Sequence, residues 1–260
     1  MTVTSAVPGT VRTSTPDAAP VVASWREPTG STPRGTVVVV PGRGEHAGVY
    51  ERFGRRISAD GYRVWAVADP TADADRTEGQ IRALLPAEPG PVVLAGSDTG
   101  ALFAAGLVAA GLRGVAGLVL AGLPTTGGSA PGGWEDELAA RTACPTHLAR
   151  LGADPALRRG AIAGAIPRSW FDAADPAGVG VPVLGVHGAA DTVSPVSAAR
   201  DWYADVVTAE LVTVAGGRHD ALNDSTHRVA AASVVLFLER LRLGPELPAV
   251  VHVETPGGLR

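Results

Sequence analysis

Apolar residues along the chain fall into two kinds of run that take turns. Short continuous stretches such as 36–40 (TVVVV) show no polar alternation, the mark of strands buried on both faces of a sheet. Longer stretches carry apolar residues three or four apart, as with Val49, Phe53 and Ile57 at i, i+4 and i+8. The pattern predicts strands at 21–25, 36–40, 62–68, 92–95 and 115–120. It predicts helices at 49–59, at 77–85 (stopped by Pro86) and at 99–110. Over 124–179 the period is lost in a stretch rich in Gly, Pro and Ala. It returns as a strand at 181–186, a helix at 196–206, a strand at 210–214 and a long helix at 226–243.

Strands alternating with helices predict a parallel sheet covered on both faces. The interruption predicts an insertion over one end of that sheet. The expected organisation is a core of 21–123 and 180–243, a cap or lid at 124–179, a flexible segment at 1–20 and a tail at 244–260. In such sheets ligands sit beyond the carboxyl ends of the strands, so the loops after the strands are where chemistry is sought.

Composition narrows the chemistry. The chain has 260 residues, with 22 basic and 26 acidic side chains and a net charge of −4. This balance gives no field for a polyanion, and nucleic acid is not an expected partner. Every basic residue is Arg. The absence of Lys removes Schiff-base chemistry and P-loop phosphate binding. Cys144 is the one cysteine, so no intrachain disulfide and no thiolate metal site can form. The scattered His residues suggest no metal cluster, and neither a metal nor a cofactor is expected. The first residues lack a basic stretch followed by an apolar core, which points to the cytoplasm. The run 101–123 is apolar except for Arg113 and is long enough to span a bilayer. Leu112-Arg113-Gly114 divides it into a helix and a strand, so no stable membrane insertion is expected.

Three motifs follow predicted strands. The strand at 92–95 runs into Gly96-Ser97-Asp98-Thr99-Gly100, a sharp strand-to-helix turn that lifts its central residue, Asp98, to the top of the sheet. The strand at 181–186 leads to Asp191, placed to orient a histidine. The strand at 210–214 leads to Gly216-Gly217-Arg218-His219. The order elbow residue, acid, histidine is that of the α/β-hydrolase fold. The segment Pro41-Gly42-Arg43-Gly44-Glu45-His46, with Tyr50 and with Ala59-Asp60-Gly61-Tyr62, is similar to H-G-x-G-E-H…Y…G-Y of the monoglyceride-lipase and lysophospholipase-like branch. The chain thus resembles an α/β-hydrolase over 20–243, with a mostly parallel central sheet flanked by helices and a small cap after the fourth central strand. The resemblance implies an oxyanion hole from the amides of Arg43 and Thr99. It also shows departures: Pro41 stands in place of His, the loop 69–75 lacks G-H-G-x-S, and Asp98 replaces the nucleophilic Ser.

An aspartate is already ionised near neutrality, and a helix N-terminus favours its anion. Asp98 would attack directly and form an ester, as in the epoxide hydrolases and haloalkane dehalogenases that the chain resembles at this position. His219 would then activate a water, and Asp191 would hold the imidazole. Trp134, Trp170 and Phe171 are candidates to wall a pocket for a small organic substrate, and His147 is a candidate acid in the cap. Structural expectations stand beside these: Asp98 as a helix N-cap, Arg43 and Glu45 in a rim salt bridge, Asp220 and Asp224 as loop polar residues, and His46, His187, His227 and His252 as structural or solvated. Other readings are an esterase or lysophospholipase-like hydrolase with an altered mechanism, a non-catalytic binding protein of the same fold, and a nicotinamide-dinucleotide protein. The last rests on Gly42-x-Gly44-x-x-x-Gly48 after a strand, with Asp69 at the end of the next.

Overall fold

In a computed structural model, which describes residues 23–125 and 129–252, the β-branched runs form the middle of one seven-stranded sheet. The strands are β1 (Ala23–Trp25), β2 (Thr36–Val40), β3 (Arg63–Ala66), β4 (Val92–Ser97), β5 (Gly117–Ala121), β6 (Val183–Gly188) and β7 (Ala209–Val214). Their order across the sheet is β1-β3-β2-β4-β5-β6-β7. Only β1 is antiparallel to its neighbour; every other pairing is parallel. The mostly parallel sheet flanked by helices is therefore as expected. Residues 1–22 and 253–260 lie outside the described residues, and with them the expected flexible N-terminus, the start of the first strand and the end of the tail.

The central strands carry apolar side chains on both faces because helices cover both. Val37, Val39, Val93, Ala95 and Val119 face α1 (Glu51–Ala59) and α8 (His227–Leu241), meeting Phe53, Ile57, Val234 and Phe237. The alternate residues Val38, Val40, Leu94, Leu118 and Leu120 face α2 (Ala74–Ala87), α3 (Thr99–Ala109) and α7 (Val196–Ala204), meeting Ile81, Leu102, Ala105 and Tyr203. A polar residue at any of these strand positions would be buried whichever way it pointed.

Three boundaries differ from the periodicity for local reasons. The helix expected from 49 opens as a 3₁₀ turn at Ala47–Tyr50, capped by the His46 ring, before α1 begins. Helix α2 starts at Ala74, not 77, because the Asp73 carboxylate accepts the Arg76 amide and caps it there. It also carries Pro86 in its last turn, where the hydrogen bond that proline cannot donate is lost only at the helix end. Between β5 and β6 lie helices and turns with no strand among the described residues: α4 (Trp134–Arg141), α5 (Pro145–Ala153) and α6 (Arg168–Ala173). The start of the tail is pinned, since Leu247 is buried and its carbonyl accepts from Arg240 Nε at 3.0 Å. No helix among the described residues is long and apolar enough to cross a membrane.

Candidate active site

The elbow forms because β4 and α3 meet without room for side chains at its two glycines. A Cβ on Gly96 would stand 2.3 Å from the Ala101 Cα, and one on Gly100 would stand 2.1 Å from the Val40 carbonyl oxygen. The turn leaves Asp98 at φ 49°, ψ −126°, a conformation costing about 1–3 kcal/mol for a residue with a side chain. Asp98 holds the N-cap position of α3, its carbonyl accepting the Ala101 amide at 2.9 Å, but its carboxylate makes no capping bond. It is 2% exposed and points into a buried polar cluster.

The loops after β6 and β7 bring the other two candidates to it. Asp191 Oδ1 accepts the amides of Val193 and Ser194, both at 2.9 Å, which fixes the carboxylate. Its Oδ2 then accepts from His219 Nδ1 at 2.8 Å. The His219 amide donates to the Ala140 carbonyl at 3.2 Å, so the end of α4 helps to position the ring. His219 Nε2 lies 3.2 Å from Asp98 Oδ1, within ion-pair distance but without hydrogen-bond alignment. Asp98, His219 and Asp191 thus stand in line.

Arg43 dominates the other side of Asp98. Its Nε donates to Oδ2 at 2.8 Å and its Nη2 to Oδ1 at 2.9 Å, a bidentate pair. Its amide also donates to Oδ2 at 3.0 Å, so one carboxylate oxygen occupies the position that the Arg43 half of an oxyanion hole would serve. No hydrogen bond joins the Thr99 amide to the carboxylate among the described residues, and the buried Thr99 hydroxyl has no partner. The far nitrogen of Arg43, Nη1, donates to the carbonyls of Ile162 at 2.8 Å and Gly164 at 2.9 Å. Arg43 is therefore not a rim residue. It is a buried strap between the elbow and the insertion.

The charges set the protonation states. Burial alone would raise the Asp98 carboxyl, but the Arg43 guanidinium and the His219 ring override it and hold the group far below the usual carboxylate range. Asp191 is likewise held low against burial, chiefly by His219. Burial would lower His219, but the two carboxylates, Asp191 first, push it up to about 10. At neutral pH the resting site is two carboxylates around an imidazolium, with a guanidinium closing one end.

Behind this line lies a second buried ionic group that the sequence reading did not identify. Arg141, at the end of α4, donates to Glu45 Oε1 at 2.8 Å, to Glu137 Oε1 at 2.8 and 3.1 Å, and to the Arg43 carbonyl at 2.9 Å. Glu45 also takes the Tyr50 hydroxyl and the Gly42 amide. The i, i+4 spacing of Glu137 and Arg141 was the one available signal, and it is the same for an ordinary exposed pair. Asp220 and Asp224 are polar residues of the loop after β7, as expected, and both are buried. Asp224 accepts from the Thr142 hydroxyl and the amides of Ala143 and Arg218, fastening the loop after β7 to the insertion. His147 lies on α5, buried and 2.5 Å from Asp220 Oδ2, so it does not face the substrate side.

A cavity of about 340 Å³ adjoins the cluster, lined by Arg43, Ile162, Ile166, Phe171, Val193 and Ser194 among others. Asp98 and His219 do not line it; the Arg43 side chain does. Of the three aromatic candidates, Phe171 alone lines this cavity. Trp170 stacks on Phe103 with ring centroids 5.1 Å apart, and Trp134 lies under the Arg159 guanidinium. His46 bonds to Asp154, and His187 is buried beside Asp191 with Nε2 donating to the Ser194 carbonyl. His227 bonds to the Asp224 carbonyl, and His252 is exposed. The glycine loop expected of a dinucleotide site is already occupied: Asp69 Oδ2 accepts the Gly44 amide at 2.8 Å, and the Gly44 carbonyl accepts the Arg158 amide at 2.9 Å.

No protein-family model and no curated protein sequence matches the chain. Solved structures do match. A monoacylglycerol lipase of Paleococcus ferrophilus is 17% identical with a TM-score of 0.69, over 85% of this chain and 98% of that one. A soluble variant of the monoglyceride lipase of Saccharomyces cerevisiae is 15% identical with a TM-score of 0.70, over 91% and 99%. A thermostable carboxyl esterase of Bacillus coagulans is 18% identical with a TM-score of 0.61, over 85% and 94%. With the strand order, the elbow and the ordered loops already described, these likenesses establish that the chain has the α/β-hydrolase fold, in a form shared with monoglyceride lipases.

Proposed function

We propose that the chain is a cofactor-free hydrolase that acts on a small organic molecule with Asp98 as its nucleophile, and that residues 124–179 cap the site. One observation carries the reading. Asp98 holds a strained elbow conformation, spends its carboxylate on no helix cap, and stands between the Arg43 amide and the His219–Asp191 pair. Strain of this kind persists where the surrounding structure enforces it, most often at functional sites.

The charge pattern suits a two-step reaction. An Asp98 oxygen attacks an electrophilic carbon of the substrate. A C–O ester bond forms, the bond to the leaving atom breaks, and the leaving atom departs with its electron pair. The His219 imidazolium supplies the proton that atom takes. Esterification removes the charge of Asp98, and with it part of what holds His219 protonated. The neutral imidazole then takes a proton from water, whose oxygen attacks the ester carbonyl. Charge developing on the carbonyl oxygen falls where the Arg43 amide donates. Collapse expels the alcohol, which leaves with the proton of the new carboxyl, and restores the carboxylate beside an imidazolium. For this to occur the Arg43 guanidinium must leave the Asp98 oxygen that attacks.

That requirement also favours a second reading, a non-catalytic binding protein of the same fold in which Arg43 keeps Asp98 permanently closed. Turnover of esters, lactones, epoxides and haloalkanes in heavy-oxygen water separates the two. The hydrolase reading expects turnover by at least one class, heavy oxygen in the Asp98 carboxylate after repeated cycles, and a loss of about 10³-fold or more in Asp98→Asn. With a haloalkane, whose halide leaves without a proton, it also expects His219→Gln to accumulate the ester as a mass increase on the peptide holding Asp98. Turnover without label rules out attack by Asp98; no turnover of any class favours the binding protein.

A further inference from the structure

We propose that the substrates of this site carry a carboxylate, and that Arg43 selects them by exchanging the carboxylate of Asp98 for that of the ligand. For the reaction this rests on the hydrolase reading above; for binding it does not.

The argument starts from what a ligand entering the cavity meets. The cavity is lined by apolar Ile162, Ile166, Phe171 and Val193 together with polar groups, and Arg43 is the charged side chain among its lining residues. Asp98 lies behind the guanidinium. A neutral ligand that reached Asp98 would part a buried guanidinium from its carboxylate and offer it no anion in return, which is costly in a protein interior. A carboxylate ligand presents the same planar pair of acceptors that Asp98 presents now, so the guanidinium changes partner without being stripped of one.

The hydrogen bonds divide in a way that permits this. Arg43 Nη1 is anchored to the Ile162 and Gly164 carbonyls, independently of Asp98. The edge that would change partner is Nε and Nη2. Asp98 meanwhile keeps the Arg43 amide on Oδ2 and the His219 ring near Oδ1. Ser194 and Thr125 also line the cavity, and their hydroxyls, which lie beneath its surface, have no hydrogen-bond partner among the described residues. Ser194 is 1% exposed, and a buried hydroxyl without a partner is uncommon enough to need a reason. A ligand carboxylate held by Arg43 would give it one. With about 340 Å³ beside apolar walls, the rest of the ligand is a short aliphatic chain.

The test compares hexanoate with hexanamide, which share a chain and differ in charge, by titration calorimetry on the intact protein. Hexanoate is expected to bind about tenfold or more tightly than hexanamide. Asp98→Asn is expected to tighten hexanoate by a further factor of about ten, because the internal competitor has lost its charge. Arg43→Gln is expected to abolish the preference for the acid, while Arg43→Lys, which keeps a charge but not the fork, retains part of it. Equal affinity for acid and amide in the unaltered protein overturns the proposal, and so does an Asp98→Asn variant that binds hexanoate no more tightly. The heavy-oxygen experiment reads the other claim. Acid preference without label leaves the carboxylate subsite standing and removes the hydrolase; label without acid preference does the reverse.

Discussion

Two buried guanidiniums lie within one polar cluster, and their surroundings differ in kind. Arg141 is 1% exposed and is enclosed by Glu45, Glu137 and the Arg43 carbonyl. Arg43 is also buried and is bidentate to a carboxylate, but its side chain borders a cavity lined as well by Ser194 and Thr125, whose buried hydroxyls have no partner among the described residues. The first pair is closed on every side and can only be broken; the second has a neighbouring volume into which a replacement partner fits. Burial and ion pairing alone therefore do not separate a structural charge from a functional one. The presence of free volume and unsatisfied donors beside it does.

The largest expected effect breaks the comparison directly. Arg141→Met leaves two buried carboxylates without their cation and is expected to cost about 3–5 kcal/mol of stability, read by denaturant unfolding. Arg43→Met leaves one carboxylate that still holds a backbone amide and sits beside the imidazolium, so its cost should be no more than about half as large. Equal losses would mean that both arginines are structural and that the cavity has no bearing on Arg43.

A second test uses the titration of the imidazole in the cluster. His219 is held at about 10 in the folded protein, against an ordinary value near 6.5. The stability it contributes is complete below 6.5 and is lost as pH rises from there to about 10, at about 1.4 kcal/mol per pH unit for one proton. Asp98 has the opposite sign: held low, its contribution is present above the ordinary carboxylate value and is lost only in strong acid. The alkaline slope therefore reports on the site. Asp98→Asn removes one of the two carboxylates that raise His219 and should end that slope at a lower pH. An unchanged end point would show that Asp98 and His219 are not electrostatically coupled.

What the sequence made legible follows from what each residue depends on. Strands β2, β4 and β5 were readable because a strand covered on both faces has no freedom to be polar, the elbow and Asp191 because each closely follows such a strand, and His219 from the Gly216-Gly217 turn after the edge strand β7. The pairing of Arg43 with Asp98 was not readable. The two are 55 positions apart, and where a long guanidinium reaches is decided by what is folded around it. Glu137 and Arg141 read as an exposed helical pair, and become buried only because the insertion folds down onto the loop at 43–45. Trp134, Trp170 and Phe171 lay in a stretch without period, so nothing indicated which ring faces inward; that Phe171 alone lines the cavity is a product of tertiary packing.

The smallest expected effect is the most specific to the contrast between the two arginines. Ser194 Oγ is buried and makes no hydrogen bond, so Ser194→Ala removes a desolvated hydroxyl and breaks nothing. The variant should be as stable as the unaltered protein or more stable by up to about 1 kcal/mol. Around Arg141 the comparable change has the other sign: Tyr50→Phe deletes a hydroxyl that is bonded to Glu45 and to the Gly42 amide, and should lose about 1–3 kcal/mol. A hydroxyl whose removal stabilises the fold is one the fold does not use. If Ser194→Ala also weakens hexanoate and leaves hexanamide unaffected, that hydroxyl belongs to the ligand. If instead Ser194→Ala destabilises the protein as Tyr50→Phe does, the Arg43 side of the cluster is bound into the structure as tightly as the Arg141 side, and the distinction between them disappears.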